Sequence, residues 1–118
     1  MLFRSARSTF LRNRLGFALL HPVRGCAGAP CEVEKVDGSR QRGEFPKSIA
    51  PHQPFFDIRA ISHTVRPGLV ATVRCEGETF EMEDHRNWTD ASYKTYCTTL
   101  AIPYPVEEIG RASCRERV

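Results

Sequence analysis

Short apolar or alternating segments follow one another along the chain, with turn residues between them. Residues 15–21 form an apolar run that Pro22 closes, and residues 31–36 and 58–65 alternate between apolar and polar side chains. Residues 69–75 are rich in β-branched side chains, which favour strands. No helical periodicity of useful length accompanies them, and short strands with frequent turns are typical of an antiparallel β-sandwich. The pattern therefore predicts an all-β fold in which residues 15–21 are a buried strand.

Turn residues mark where these strands should reverse. Asp37-Gly38 is a strong hairpin signal, and the polar segment 39–45 that follows is predicted to return as an edge strand. Pro67-Gly68 predicts a second turn. Three prolines lie between residues 45 and 57, and this density excludes a regular helix or strand there. A long irregular loop is expected in the middle of the chain.

Length and charge restrict the classes of protein that fit. The 118 residues suit one domain, and 41% hydrophobic with 26% charged residues is ordinary for a globular protein. Between Glu32 and Glu108 there are thirteen acidic and nine basic residues, although the net charge of the chain is +3. This mildly acidic body argues against a nucleic-acid partner. No apolar run approaches the length of a membrane span, so no membrane partner is expected.

The cysteines and histidines suggest no metal chemistry. Five cysteines are an odd number without a CxxC pair, which favours reduced thiols and a cytoplasmic location over a disulfide framework. Cys26 and Cys31 lie near His21, but the spacing is too loose for zinc and a second ligand pair is missing. We therefore expect neither a metal site nor a cofactor, and we interpret His21, His52 and His63 as structural.

The two ends of the chain carry separate expectations. The last ten residues, IGRASCRERV, correspond to one reading frame of a widely used sequencing-adapter sequence. We therefore expect 109–118 to be a non-native tail, 1–108 to be a partial β-sandwich domain, and the natural protein to continue beyond it. A frayed basic tail is the alternative. The Arg- and Ser-rich start resembles a targeting segment, but its apolar run is too short for a secretory signal, so we prefer the buried strand and keep a targeting role as the alternative.

The segment FEMEDHRNWTDASYKTY, residues 80–96, combines many charges with large aromatic side chains. Strand alternation places Phe80 and Met82 on a core face, and Glu81 and Glu83 on the opposite face, against solvent or a second surface. Carboxylates, amides and aromatic rings together are also the residue types that recognise sugars.

Within this run, Arg86 is expected to form a bidentate ion pair with Glu83, Asp84 or Asp90. Trp88 and Tyr93 carry apolar area that should pack on something. We favour interdomain packing and structural ion pairing over direct catalysis, and no catalytic residue is assigned. The candidates for substrate binding or interdomain contact are Glu83, Asp84, Arg86, Asn87, Trp88, Asp90, Tyr93 and Lys94.

Three segments, RNRLGFALLHP (12–22), FPKSIAPHQPFFDIRAISH (45–63) and the run at 80–96, resemble the amino-terminal domain of bacterial D-apionate lactonases. In that family the last segment usually reads EDQRNWTDAS, with Gln where this chain has His85. The resemblance implies a β-sandwich followed by a TIM-barrel-like domain and a further β domain in one polypeptide. It also implies hydrolysis of a sugar-acid lactone, with the missing barrel as the partner of this domain and a sugar acid or lactone as the ligand.

Because no barrel is present, the resemblance implies that this chain alone is inactive. Two other functions stay open. One is a non-catalytic carbohydrate-binding or structural sandwich that stands alone. The other is part of a related glycoside hydrolase, since a fold does not determine chemistry.

Overall fold

The computed structural model describes residues 8–12, 15–103 and 105–108. Within these ranges the regular secondary structure is almost entirely β-strand, with a short helical turn at Val23–Cys26 (α1) and a 3₁₀ helix at His85–Trp88. The strands are β1 Phe10–Arg12, β2 Ala18–Pro22, β3 Pro30–Lys35, β4 Arg40–Glu44, β5 Ile58–Arg66, β6 Leu69–Arg74, β7 Glu81–Asp84, β8 Ser92–Tyr96 and β9 Val106–Glu108. The expected tail, 109–118, lies outside the described residues. No helix among the described residues has the length and apolar character to cross a membrane.

The strands form three antiparallel sheets. Four strands pair in the order β4-β3-β5-β6, three in the order β2-β8-β7, and β1 pairs with β9. The two larger sheets enclose one core. Val33 and Ile61 come to it from the four-stranded sheet, Met82 and Tyr93 come from the three-stranded sheet, and Phe45 packs 5.1 Å from the Tyr93 ring. The predicted all-β, antiparallel and sandwich-like architecture is confirmed.

Both predicted turns are present and join antiparallel strands. At the first, the backbone N–H of Lys35 donates to the carbonyl of Ser39 at 2.7 Å, and Gly38 has φ of 88°. At the second, Pro67 precedes Gly68, which has φ of 79°. Glycine adopts these left-handed conformations without the steric penalty of a Cβ atom. The polar strand β4 lies at the edge of its sheet, as predicted.

The prediction of a buried strand at residues 15–21 was wrong about burial. The strand begins at Ala18, and Leu15, Phe17 and Leu20 are exposed. The buried side chain is His21, which hydrogen-bonds Thr95 at 2.9 Å. The physical reason is that successive side chains of a strand point to opposite faces of the sheet, so Leu20 lies on the outer face of β2 and His21 on the core face. Burial, with a smaller contribution from His63, lowers the pKa of His21 to about 4.

The outer face of the four-stranded sheet is polar. Arg40 pairs with Glu32 at 2.6 Å across β4 and β3. Arg74 of β6 reaches Glu34 of β3 at 2.9 Å, passing over Ala60 of the strand between them. The small side chain of Ala60 leaves room for this contact. These paired side chains can therefore remain in contact with solvent.

Candidate functional site

The residues singled out by the sequence meet at the corner where β7 ends. Asp84 caps the 3₁₀ helix, because its Oδ1 accepts a hydrogen bond from the backbone N–H of Arg86 at 3.1 Å. Thr89, with φ of 67°, ends the helix, and its backbone N–H donates to the carbonyl of Arg86. The sharp turn presents neighbouring side chains in different directions, so the candidates separate into an inward and an outward group.

An ion pair between Arg86 and Asp84 is the centre of the inward group. Arg86 donates from Nε to Oδ1 at 2.9 Å and from Nη2 to Oδ2 at 2.7 Å. The expected bidentate pair therefore forms, and Asp84 is its partner among the three that the sequence left open. Burial by itself would raise the pKa of Asp84, but hydrogen bonds from Arg86 and from the backbone N–H of Ala50 outweigh it, and the pKa is lowered.

The same guanidinium anchors the proline-rich loop. It donates to the backbone carbonyls of Pro46, Lys47 and Ser48 at 3.0, 2.8 and 3.2 Å. It also lies 5.3 Å from the centre of the Tyr93 ring, a cation–π arrangement. These carbonyls belong to no strand ladder, so Arg86 supplies hydrogen bonds that the loop does not obtain from secondary structure.

Two further candidates attach the loop. The Tyr93 hydroxyl donates to the carbonyl of Pro46 at 2.5 Å, and the Tyr93 side chain is fully buried. The Asn87 amide nitrogen donates to the carbonyls of Ala50 and Asp84 at 2.7 and 2.9 Å. Asp84, Arg86, Asn87 and Tyr93 thus stabilise the corner and the loop of this module.

The outward group surrounds Glu83. Trp88 is 67% exposed, and its Nε1 donates to Glu83 at 2.9 Å. Lys94 Nζ lies 3.5 Å from Glu83 and 5.0 Å from the centre of the Tyr96 ring. The expectation that Trp88 packs on something is not met among the described residues. Its ring is instead oriented by one hydrogen bond and open to solvent.

Asp90 is separated from Glu83 by a histidine. The carboxylate of Asp90 lies 3.6 Å from one ring nitrogen of His85, and Glu83 lies 3.7 Å from the other. The Asp90 side chain is 67% exposed. The structure therefore places Asp90 at the outer rim of the corner.

A cleft of about 290 Å³ separates the corner from the proline-rich loop. Glu83, Asp84, Asn87 and Trp88 line one side, and residues 50–53 line the other. His52 and Gln53 are wall residues that the sequence interpretation did not include in the site. The sequence feature that could have indicated these two wall residues is a polar pair between two prolines, within the segment 45–63 that carries the family resemblance.

The cleft offers an aromatic face and polar groups. The exposed Trp88 ring can stack on an apolar sugar face, while Glu83 can accept hydrogen bonds from hydroxyl groups. The guanidinium of Arg86 is directed at Asp84 and at the loop carbonyls. A neutral hydroxylated ring therefore suits this cleft better than an anion does.

Glu81 lies on the face opposite Met82, as predicted, but it is covered. It is 3% exposed, accepts a hydrogen bond from the Tyr96 hydroxyl, and accepts another from the backbone N–H of Leu100 at 3.2 Å. Burial, together with the hydrogen bond to Glu81, raises the pKa of Tyr96. The segment after β8 thus supplies the second surface for this part of the sheet.

The thiols lie apart from the cleft. Four cysteines in the described part of the chain are buried, and burial raises the pKa of Cys31 to about 11. Cys26 Sγ lies 4.0 Å from His63 Nε2. No cluster of three or more His, Cys, Asp or Glu side chains within the described residues is arranged to hold a metal ion.

Comparison with known proteins identifies related sequences. Residues 2–118 match the family model described as D-apionate lactonase, N-terminal domain. The D-apionate lactonase of Brucella anthropi is 56% identical to this chain over 98 residues. That match covers 83% of this chain but 16% of the relative, so the chain spans less than a fifth of the relative's length. No solved structure matches the chain.

Proposed function

Because this chain belongs to the D-apionate lactonase N-terminal domain family, we propose that it acts as the amino-terminal β-sandwich of a longer carbohydrate-lactone hydrolase. The observation that carries the proposal is the 56% identity to a D-apionate lactonase across 83% of the chain. The catalytic groups then come from the following part of that longer protein, for which the family resemblance implies a TIM-barrel-like domain. The chain by itself has no lactonase activity.

The arrangement of the carboxylates supports assigning catalysis to another part of the longer protein. Asp84 is enclosed and accepts four hydrogen bonds, three from Arg86 and one from Ala50. Glu83 accepts a hydrogen bond from Trp88 and lies beside Lys94. A general acid or base needs a pKa near the working pH and reach to the substrate. The lowered pKa and the saturated oxygens of Asp84 suit an anchor rather than a proton-transfer group.

We propose that the outward group borders the substrate cleft of the longer protein. Trp88, Glu83, Asp90 and Lys94 would contact the neighbouring domain or the ligand, while the inward group keeps their positions. The ligand at this border is the neutral lactone rather than its carboxylate product, because Glu83 would repel an anion and Arg86 is already paired.

A chimera tests the proposal. In it, the matched segment of this chain replaces the corresponding segment of the Brucella anthropi relative. The chimera should hydrolyse sugar-acid lactones, and the 118-residue chain should not. Assaying a full-length homologue that carries this domain on lactones and on aryl glycosides separates the lactonase from the related glycoside hydrolase.

Two substitutions in the chimera test the border. Asn87→Ala removes two hydrogen bonds and should lower the free energy of unfolding by about 1 kcal/mol. Asp90→Ala, at an exposed position, should change turnover without changing stability. Unchanged expression, stability and turnover in both variants would remove the proposed role.

The exposed Trp88 ring also favours a second candidate, a carbohydrate-binding sandwich that works without a catalytic partner. Titrating the 118-residue chain with neutral lactones and sugars, and following Trp88 by fluorescence or NMR, separates the two functions. Saturable binding to this chain alone would support the second candidate. We also propose a cytoplasmic location, which the odd number of cysteines without a CxxC pair supports.

A further inference from the structure

An apolar groove opens on the side of the sandwich opposite the Trp88 corner. It has a volume of about 310 Å³ and lies between the beginning of β2 and the end of β6. Phe17 and Val73 form its rims, and they are 51% and 36% exposed. Cys75 and Phe80 are buried residues of its lining. Large apolar side chains are therefore left in contact with water at an open edge of both sheets.

Val73 and the polar side chains near it lie on opposite faces of β6. On the outer face, Thr72 hydrogen-bonds Ser62 at 2.8 Å and Arg74 pairs with Glu34. Val73 points to the other side, toward the groove. Exposed apolar area costs roughly 25 cal/mol per Å² relative to burial. A polypeptide that covered Phe17 and Val73 would gain this stabilisation, whereas the outer face already has polar partners.

The path of the chain indicates which polypeptide segment lies close enough to cover the groove. Arg12 of β1 pairs with Val106 of β9 in the register of the two-stranded sheet. The Arg12 guanidinium donates to Thr98 Oγ1 at 2.7 Å and to Glu78 Oε1 at 3.4 Å. Glu78 precedes Phe80 of the groove by two residues. Strand β9 is therefore tied to the same end of the sandwich as the groove.

The strand register separates this end from the corner. Ala18 lies beside Tyr96, and Tyr96 beside Glu81, at the groove end of the three-stranded sheet. At the other end, Asp84 pairs with Tyr93 and leads into the Trp88 corner. The family model is an N-terminal domain, and 84% of the Brucella anthropi relative lies outside the match. The polypeptide that continues after β9 in such proteins begins next to the groove.

We propose that this groove is the docking site for the segment that follows β9 in the longer protein, with apolar side chains of that segment covering Phe17 and Val73. The inference rests on the proposed role of the chain as one domain of a longer hydrolase. It adds a second contact to the Trp88 corner, so the following domain meets the sandwich at its apolar groove as well as at its polar corner.

Cysteine labelling tests the docking. Val73→Cys is made in the 118-residue chain and in the chimera, with Cys114→Ser where the tail is present, and maleimide labelling is read by peptide mass spectrometry. Val70→Cys is the matched control, because Val70 lies on the same strand and is 61% exposed. The position 73 thiol should react in the short chain and be protected about tenfold or more in the chimera. The position 70 thiol should react equally in both.

Three results would overturn the proposal. The first is equal labelling at position 73 in both proteins. The second is equal protection of positions 70 and 73 in the chimera, since that is not specific to the groove. The third is protection at position 73 in the short chain that disappears on dilution, which assigns the groove to a second copy. A chimera that hydrolyses lactones but is labelled freely at position 73 would contradict the docking site without contradicting the proposed function.

The same substitutions at the aligned positions of the intact Brucella anthropi protein give the answer if the chimera does not fold. Protection at the position aligned with Val73, with free labelling at the position aligned with Val70, supports the docking site. Free labelling at both positions contradicts it.

Discussion

Replacing Arg86 with Ala tests the idea that the charged aromatic segment first of all stabilises its own module. The substitution removes both hydrogen bonds to the Asp84 carboxylate and the contacts to three loop carbonyls. It leaves Asp84, whose side chain is 0% exposed, without its counter-charge. Breaking a buried pair by removing one partner costs about 3–5 kcal/mol. We expect the free energy of unfolding to fall by about 3 kcal/mol, the lower end of this range, because one edge of the corner is open to water.

The assay is urea unfolding of the 118-residue chain, followed by fluorescence of its single tryptophan, Trp88, and by circular dichroism. Arg86→Lys keeps the charge but not the planar fork, so it should recover only part of the loss. Arg42→Ala is the control, because Arg42 is 91% exposed and its pair with Glu32 is 3.4 Å long. Such a solvent-exposed pair should contribute little to stability.

The double variant Asp84→Asn, Arg86→Ala distinguishes a specific pair from general damage. With the buried charge removed, the loss of Arg86 should cost less than it does beside the native Asp84, and the difference is the coupling energy. We expect a coupling of roughly 2 kcal/mol, within the range for residues of one hydrogen-bond network. An Arg86→Ala variant within about 1 kcal/mol of the wild type, or additive effects in the cycle, would refute the reasoning.

The lowered pKa of Asp84 gives the pair a pH dependence. Because the folded state lowers this pKa, the stabilisation is present above the unfolded value of about 3.9 and is lost as the pH falls through the folded pKa. The deficit of Arg86→Ala relative to the wild type should therefore be constant near neutral pH and shrink only in strong acid.

Two further predictions concern Trp88 and His21. Trp88→Ala in the chimera should raise the KM for the lactone about fivefold, as expected from about 1 kcal/mol of lost ring contact, and should leave the unfolding free energy within about 0.5 kcal/mol; an unchanged KM would place the ring outside the substrate path. Folding lowers the pKa of His21 to about 4, so an unfolded chain with a pKa near 6.5 takes up a proton that the folded chain resists. Stability should therefore fall by about 2 kcal/mol from pH 7 to pH 5. His21→Gln should flatten this dependence and the exposed His52→Gln should not; equal slopes in all three proteins would contradict the assignment.

The residue types that form the corner could be predicted from the sequence, but the contacts that each residue makes could not. Residue types along 80–96 indicated a bidentate pair of Arg86 and a mixed polar and aromatic surface. They did not indicate that Asp84, Arg86 and Tyr93 hold the proline-rich loop, because those contacts join residues 34 to 47 positions apart. The cleft walls at His52 and Gln53 exist only once that loop is folded against the corner.

Local chemistry in the sequence was sufficient to determine where the chain turns. The Asp37-Gly38 and Pro67-Gly68 turns depend on the backbone preferences of adjacent residues, and alternation correctly assigned Met82 to the core face. The antiparallel all-β class and the family followed from the same short segments and from their resemblance to known proteins.

Only the tertiary structure decided which apolar and aromatic groups are covered. The run near residue 20 resembled a core strand, yet only one face of β2 packs on the core, so Leu20 is exposed while His21 is buried. Likewise, nothing in the neighbourhood of Trp88 and Tyr93 along the chain distinguishes an exposed ring from a buried one. Burial depends on which distant strands pack against a residue, and that is a property of the assembled sheets rather than of any local stretch.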